Sequence, residues 1–92
     1  MIKETVPGHE YSCVDAGVNV MFQNGAVPDV GRNGWQNDEM LEVLIARMNW
    51  LNAQFPCREN SITITKLEEA LMWQNKRTAD RVKRGVEGRH TL

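Results

Sequence analysis

The sequence predicts an α+β chain in which a small antiparallel β-hairpin packs on a long antiparallel pair of helices, the chain assembling as a dimer or higher oligomer. Three observations carry this. Residues 58–85 hold apolar side chains at helical spacing and end on a glycine; residues 37–54 hold a second helical pattern free of Gly and Pro; and an alternating stretch ahead of both runs into Asn24-Gly25, a strong short signal for a tight hairpin turn. The 92 residues make a single domain, 1–92, read as β-hairpin and loop (18–35), helical hairpin (36–85) and tail (86–92). A chain this short builds a modest core, and oligomerisation often completes its burial.

In chain order, residues 1–17 carry Pro7, Gly8, Asp15 and Gly17 without a sustained period and read as an irregular or edge-strand segment. Val18, Val20 and Phe22 alternate with Asn19, Met21 and Gln23, giving the first strand of the hairpin. The return strand, Ala26-Val27, is cut short by Pro28, and residues 29–34 read as a loop. Asn37 is placed to cap the next helix, with Asp38 and Glu39 in its positive first turn. One face of that helix carries Leu41, Leu44, Ile45, Met48, Leu51 and Phe55, and a second apolar line carries Met40, Val43 and Trp50. Two apolar faces call for two partners. Pro56 marks a short corner, which makes the following helix an antiparallel neighbour.

The last helix shows a stripe of Ile64, Leu67, Leu71 and Val82, completed by Gln74 and Thr78, with Gly85 as its stop. About 25 residues at 1.5 Å rise would run roughly 38 Å, more than a compact monomer of this size needs. A second copy of the chain is the expected partner.

Charge and cysteines narrow the class. The net charge of −1 gives no global preference for nucleic acid, although residues 76–92 hold six cations against two acids, a local +4. A basic C-terminal turn is also what the helix dipole favours. No apolar run reaches membrane-spanning length and no signal-peptide layout opens the chain, so a cytoplasmic setting is the expectation. Cys13 and Cys57 read as free thiols, and no His/Cys cluster has metal-ligand spacing, so neither metal nor cofactor is expected.

Catalytic constellations compete poorly. His9 and His90 sit in terminal segments, Cys57 has no neighbouring His in sequence, Glu68-Glu69 read as surface positions, and Gly31-Arg32-Asn33-Gly34 is too short for a phosphate-cradling loop. Trp73, Arg77 and Arg81 are more informative, spaced i, i+4, i+8 on one helix. Guanidiniums match phosphate oxygens, and both they and an indole stack on bases. The competing reading is a solvated basic helix end, with Asp80 paired to Arg77 or Arg84 and Trp73 in the core; on spacing alone that is the commoner arrangement. Asn60, near the start of the same helix, could hold polar ligand atoms or simply cap the helix. Trp50 falls near Asn60 across the corner, as a stacking platform or as core. Asn60 and Arg77 are 17 residues apart, roughly 25 Å on a helix. If both touch one small ligand, they come from different chains, and a two-fold dimer then holds two equal pockets.

Val20-Met21-Phe22-Gln23-Asn24-Gly25, Cys57-Arg58-Glu59-Asn60, residues 65–73 (TKLEEALMW), Lys76-Arg77-Thr78 with Asp80-Arg81, and Arg84-Gly85-Val86-Glu87-Gly88 resemble the phage Thoeris anti-defence proteins of the first type. Those proteins share their helical-hairpin domain with the phage anti-CBASS sponges. The resemblance implies a non-enzymatic sponge for a cyclic nucleotide immune signal, foremost glycocyclic ADP-ribose. Cyclic di- or trinucleotides of CBASS signalling are the alternative within the class, and a nucleic-acid-binding helical hairpin is the alternative outside it. Carried onto this sequence, the family pocket is Trp50, Asn60, Arg77 and Arg81 at a dimer interface, with Gln23, Arg58 and Trp73 as possible additions. The resemblance implies a smaller ring at position 50, so an indole would stack more strongly and narrow the pocket. Hexamers with extra nucleotide sites are a further implication.

Overall fold

The computed structural model describes residues 1–85, and the element order is β1(Ile2–Val6), β2(Glu10–Cys13), β3(Val18–Met21), α1(Val27–Val30), α2(Asn37–Gln54), α3(Arg58–Lys83). The α+β class holds. The tail expected at 86–92 lies outside the described residues. The chain divides into two compact units, one ending at Gln36 and one beginning at Asn37.

The first unit is a three-stranded antiparallel sheet in the order β1-β2-β3. Two expectations are corrected here. Residues 1–17 are two strands rather than an irregular segment, and the hairpin partner of β3 is β2, upstream, rather than Ala26-Val27. Pro28 explains the second point. It offers no N–H to a ladder, and it sits instead at the start of the short α1, where a missing N–H costs nothing. Pro7-Gly8 supplies the β1–β2 turn, with Gly8 at φ 73° and the His9 N–H donating to the Val6 carbonyl at 3.0 Å, the geometry of a type II turn. Tyr11 packs edge-on to Phe22, ring centroids 6.0 Å apart. Desolvation, with the Glu4 carboxylate beside it, raises the Tyr11 phenol above its usual pKa.

Residues 22–35 fold back onto β3. Gln23 N–H donates to the Trp35 carbonyl at 2.8 Å, and Trp35 N–H to the Met21 carbonyl at 2.9 Å. Asn33 and Asn24 exchange two bonds, of 2.8 and 2.7 Å. Gly34 permits this closeness, because a Cβ there would stand 2.6 Å from the Phe22 carbonyl carbon and 2.8 Å from the Met21 oxygen.

The second unit is the predicted helical hairpin. The half-buried positions of α2 include Asp38, Leu41, Ile45, Met48 and Asn52, and those of α3 Asn60, Ile64, Leu67, Leu71 and Gln74. Both sets alternate three- and four-residue steps, the seam of two antiparallel helices packed side by side. Three details differ from the expected faces. Leu44 and Phe55 are exposed, Phe55 at 73%. Thr78 is exposed as well. The buried position near the end of α3 is Arg81 instead of Val82, which is 61% exposed. Seven residues of a helix return to within about 20° of the starting direction, so Arg81 follows Gln74 and Val82 turns away. At the far end Gly85, φ 72°, donates its N–H to the Val82 carbonyl, closing the helix where glycine was expected to.

Candidate functional site

Everything at the corner between α2 and α3 follows from Pro56 and the residues around it. The link is residues 55–57, after which Cys57, extended at φ −155° and ψ 160°, caps α3. Its Sγ accepts the Asn60 N–H at 3.4 Å. The cap expected at Asn60 is therefore Cys57, and Asn60 lies inside the first turn. The Asn60 side chain reaches back, Nδ2 donating to the Phe55 carbonyl at 3.2 Å. Asn52 fastens the link from the α2 side: its Oδ1 accepts the Cys57 N–H at 3.2 Å, and its Nδ2 donates to Ser61 Oγ at 3.5 Å.

Trp50, one turn before the corner, exposes 59% of its surface, so it is a free platform in the single chain rather than core. The Arg47 guanidinium carbon stands 6.0 Å from the centre of its ring, the outer range of a cation–π contact. Trp73 is 61% exposed, which also removes it from the core. Arg77 is exposed and engages no group among the described residues. Asp80 pairs with Lys76 at 2.8 Å, in place of the expected Arg77 or Arg84. Arg81 differs from all of these. At 6% exposure it is the buried residue of the hairpin, and it is partnered. Eight residues rotate a helix by about 80° beyond two turns, which carries Arg81 off the Trp73–Arg77 line and toward the direction of Gln74.

The added candidates divide the same way. Arg58 is exposed at the first turn of α3. Gln23 belongs to the first unit, where its Nε2 donates to the Gly31 carbonyl at 2.7 Å and its Oε1 accepts the Asn33 N–H at 2.9 Å. Those bonds make it a clasp of the 22–35 loop. A cavity of about 430 Å³, lined by Asn19, Met21, Arg32, Gly34 and Trp35, lies beside that loop and holds none of the candidates. Cys13 and Cys57 are both free thiols, as expected. No metal-ligand cluster occurs among the described residues, and no helix among them is long and apolar enough to cross a membrane.

Two groups of α2 escaped sequence reasoning. Arg47 carried a signal, since a cation three residues before an aromatic shares its helix face. Asn52 carried a weaker one, a polar residue at a seam position close to a proline corner. In chemical terms the hairpin offers an exposed indole and an oriented carboxamide at one end, and an exposed guanidinium at the other. On α3, which is 26 residues long, Asn60 and Arg77 stand roughly 25 Å apart.

Compared with known proteins, residues 15–79 match the family model described as the Acb2/Tad1 hairpin domain. The chain is also similar to Thoeris anti-defense 1 of Bacillus phage SBSphiJ7, with 54% identity over 72 residues, 77% of this chain. It spans about half the length of that relative, 51%.

Proposed function

Since the chain belongs to the Acb2/Tad1 hairpin-domain family, we propose that it is a phage anti-defence protein acting against Thoeris immunity, a sponge that captures glycocyclic ADP-ribose without cleaving it. The name of the Bacillus phage relative supports the Thoeris assignment. The observation that carries the capture reading is the Arg77 guanidinium, exposed and without a partner among the described residues, on the same hairpin as the exposed Trp50 indole. An exposed guanidinium with no partner in its own fold is available to an anion, which is what capture of a pyrophosphate requires.

In the proposed mechanism Trp50 stacks on adenine and Asn60 fixes a polar edge. Arg77 binds the pyrophosphate, with the charge of Arg81 one turn further along α3. The two ends of α3 are too far apart to meet on one small ligand, so each pocket joins Trp50 and Asn60 of one chain to the arginines of another. Binding energy goes into holding an unaltered ligand, and no bond-breaking step is assigned to any residue.

Two measurements test this. Incubation with glycocyclic ADP-ribose, heat denaturation and assay of the supernatant should release intact ligand; a chemically altered product identifies an enzyme, and no capture sends the search to other nucleotides. By calorimetry, Arg77→Ala should weaken capture by about 1.5–3 kcal/mol, the range for hydrogen bonds to charged groups, with helix content unchanged. Unaltered affinity in that variant sinks the pocket assignment.

A further inference from the structure

The bonds around Asn60 settle which end of its carboxamide faces which way. Nδ2 donates to the Phe55 carbonyl at 3.2 Å, and because a carbonyl only accepts, the nitrogen belongs on that side and Oδ1 on the other. The backbone N–H of Asn60 is engaged separately, by Cys57 Sγ at 3.4 Å. Both anchors, the Phe55 carbonyl and Cys57, sit in the three-residue link between the helices. That link is fastened from one side chain. Asn52 Oδ1 accepts the Cys57 N–H at 3.2 Å while its Nδ2 reaches Ser61 Oγ at 3.5 Å, on the residue after Asn60.

We propose that Asn52 is a positioning residue which holds the corner so that Asn60 presents its carboxamide oxygen, making this end of the pocket specific for a hydrogen-bond donor on the ligand. The proposal rests on the placement of Asn60 in the pocket. An oxygen acceptor facing a phosphate oxygen is repulsive, whereas an amino or hydroxyl group completes the bond. The ligand is thereby oriented: its anionic part goes to Arg77 and a donor group, exocyclic amine or ribose hydroxyl, to Asn60. A residue with no direct ligand contact would set the direction in which the ligand enters.

The test is a double-mutant cycle read by calorimetry with glycocyclic ADP-ribose as the probe. Asn52→Ala should weaken capture about fivefold in the natural background, the effect of losing roughly one hydrogen bond, and by less than about twofold when Asn60 is already alanine, because the two act through one contact. Asn52→Asp, which keeps an acceptor for the Cys57 N–H, should restore affinity to within about twofold of the natural chain. Equal losses in the two backgrounds would mean that Asn52 merely stabilises the fold, and would overturn the proposal. If Arg77→Ala still weakens capture in that case, the pocket reading survives; full capture by Arg77→Ala sinks both. A second measurement needs no ligand. The Asn60 side-chain NH₂ resonances should shift in Asn52→Ala, and unchanged resonances also overturn the proposal.

Discussion

Arg77 and Arg81 sit one turn apart on α3 and carry the same chemical group, yet the fold treats them differently. Arg77 is exposed and engages nothing among the described residues, while Arg81 is 6% exposed and partnered. Their substitutions should separate accordingly. Arg77→Ala should leave the melting temperature within about 4 °C, since surface changes away from specific contacts stay within about 0.5 kcal/mol. Arg81→Ala should destabilise by about 1.5–3 kcal/mol, from hydrogen bonds to a buried charge, which for a chain of this size lowers the melting temperature by on the order of 10 °C. Parallel melts of the two variants decide it, and equal melting temperatures would show that the burial of Arg81 contributes nothing. Sequence could place the two arginines on one line but could not rank them. The rank depends on the seam period, which a polar run of Gln74, Thr78 and Arg81 conceals. Asn60 was obscured in a similar way: its residue type fits a cap, and the cap went to Cys57, a weaker acceptor that happens to sit at the residue with extended backbone.

At the scale of elements, the helices were legible and the sheet was not. Both long helices begin and end within a residue or two of their expected bounds, because uninterrupted periodic patterns and the Pro56 and Gly85 breaks act locally. The strands β1 and β2 gave no such signal. Every residue of β1 is exposed and β2 is half-buried along its length, so the alternation that marks a one-sided strand is missing. Asn24-Gly25 misled for a different reason. Its turn chemistry was sound, but Pro28 denied it a return strand, and the segment went into a loop fastened by Asn33 and Gln23 instead. Gly34 is where that loop meets β3, and its missing side chain is the condition of the contact. Gly34→Ala puts a methyl 2.6 Å from main-chain atoms that cannot swing away. The expected cost is about 1–3 kcal/mol, the usual range for overpacking, read as a lower melting temperature with ligand capture by the helical hairpin retained at saturation. An alanine variant as stable as the natural chain would mean that the loop relaxes freely.

For the molecule as a whole, the question is what covers the apolar groups that the helical hairpin leaves in water. No apolar residue is buried among the described residues, and Val43, Leu44, Trp50, Phe55, Met72 and Trp73 are all exposed on one hairpin. Under the proposed function the occupant is a second copy, which also supplies the missing half of each pocket. Shared pockets have a signature that a pocket within one chain lacks. Take two defective chains, one Asn60→Ala and the other Arg77→Ala, unfold them together and refold the mixture. In a two-fold dimer the mixed species places both defects in one pocket and leaves the other wild type. Random pairing makes half the dimers mixed, so about one quarter of all pockets should bind glycocyclic ADP-ribose with the natural affinity, although neither variant binds at that affinity alone. If each pocket lies within a single chain, every pocket in the mixture carries one defect and no tight-binding fraction appears. Calorimetric stoichiometry on the refolded mixture, set beside each variant refolded separately, distinguishes the two arrangements. A recovered quarter would make the length of α3 part of the binding site, since that length is what sends its two ends to different ligands.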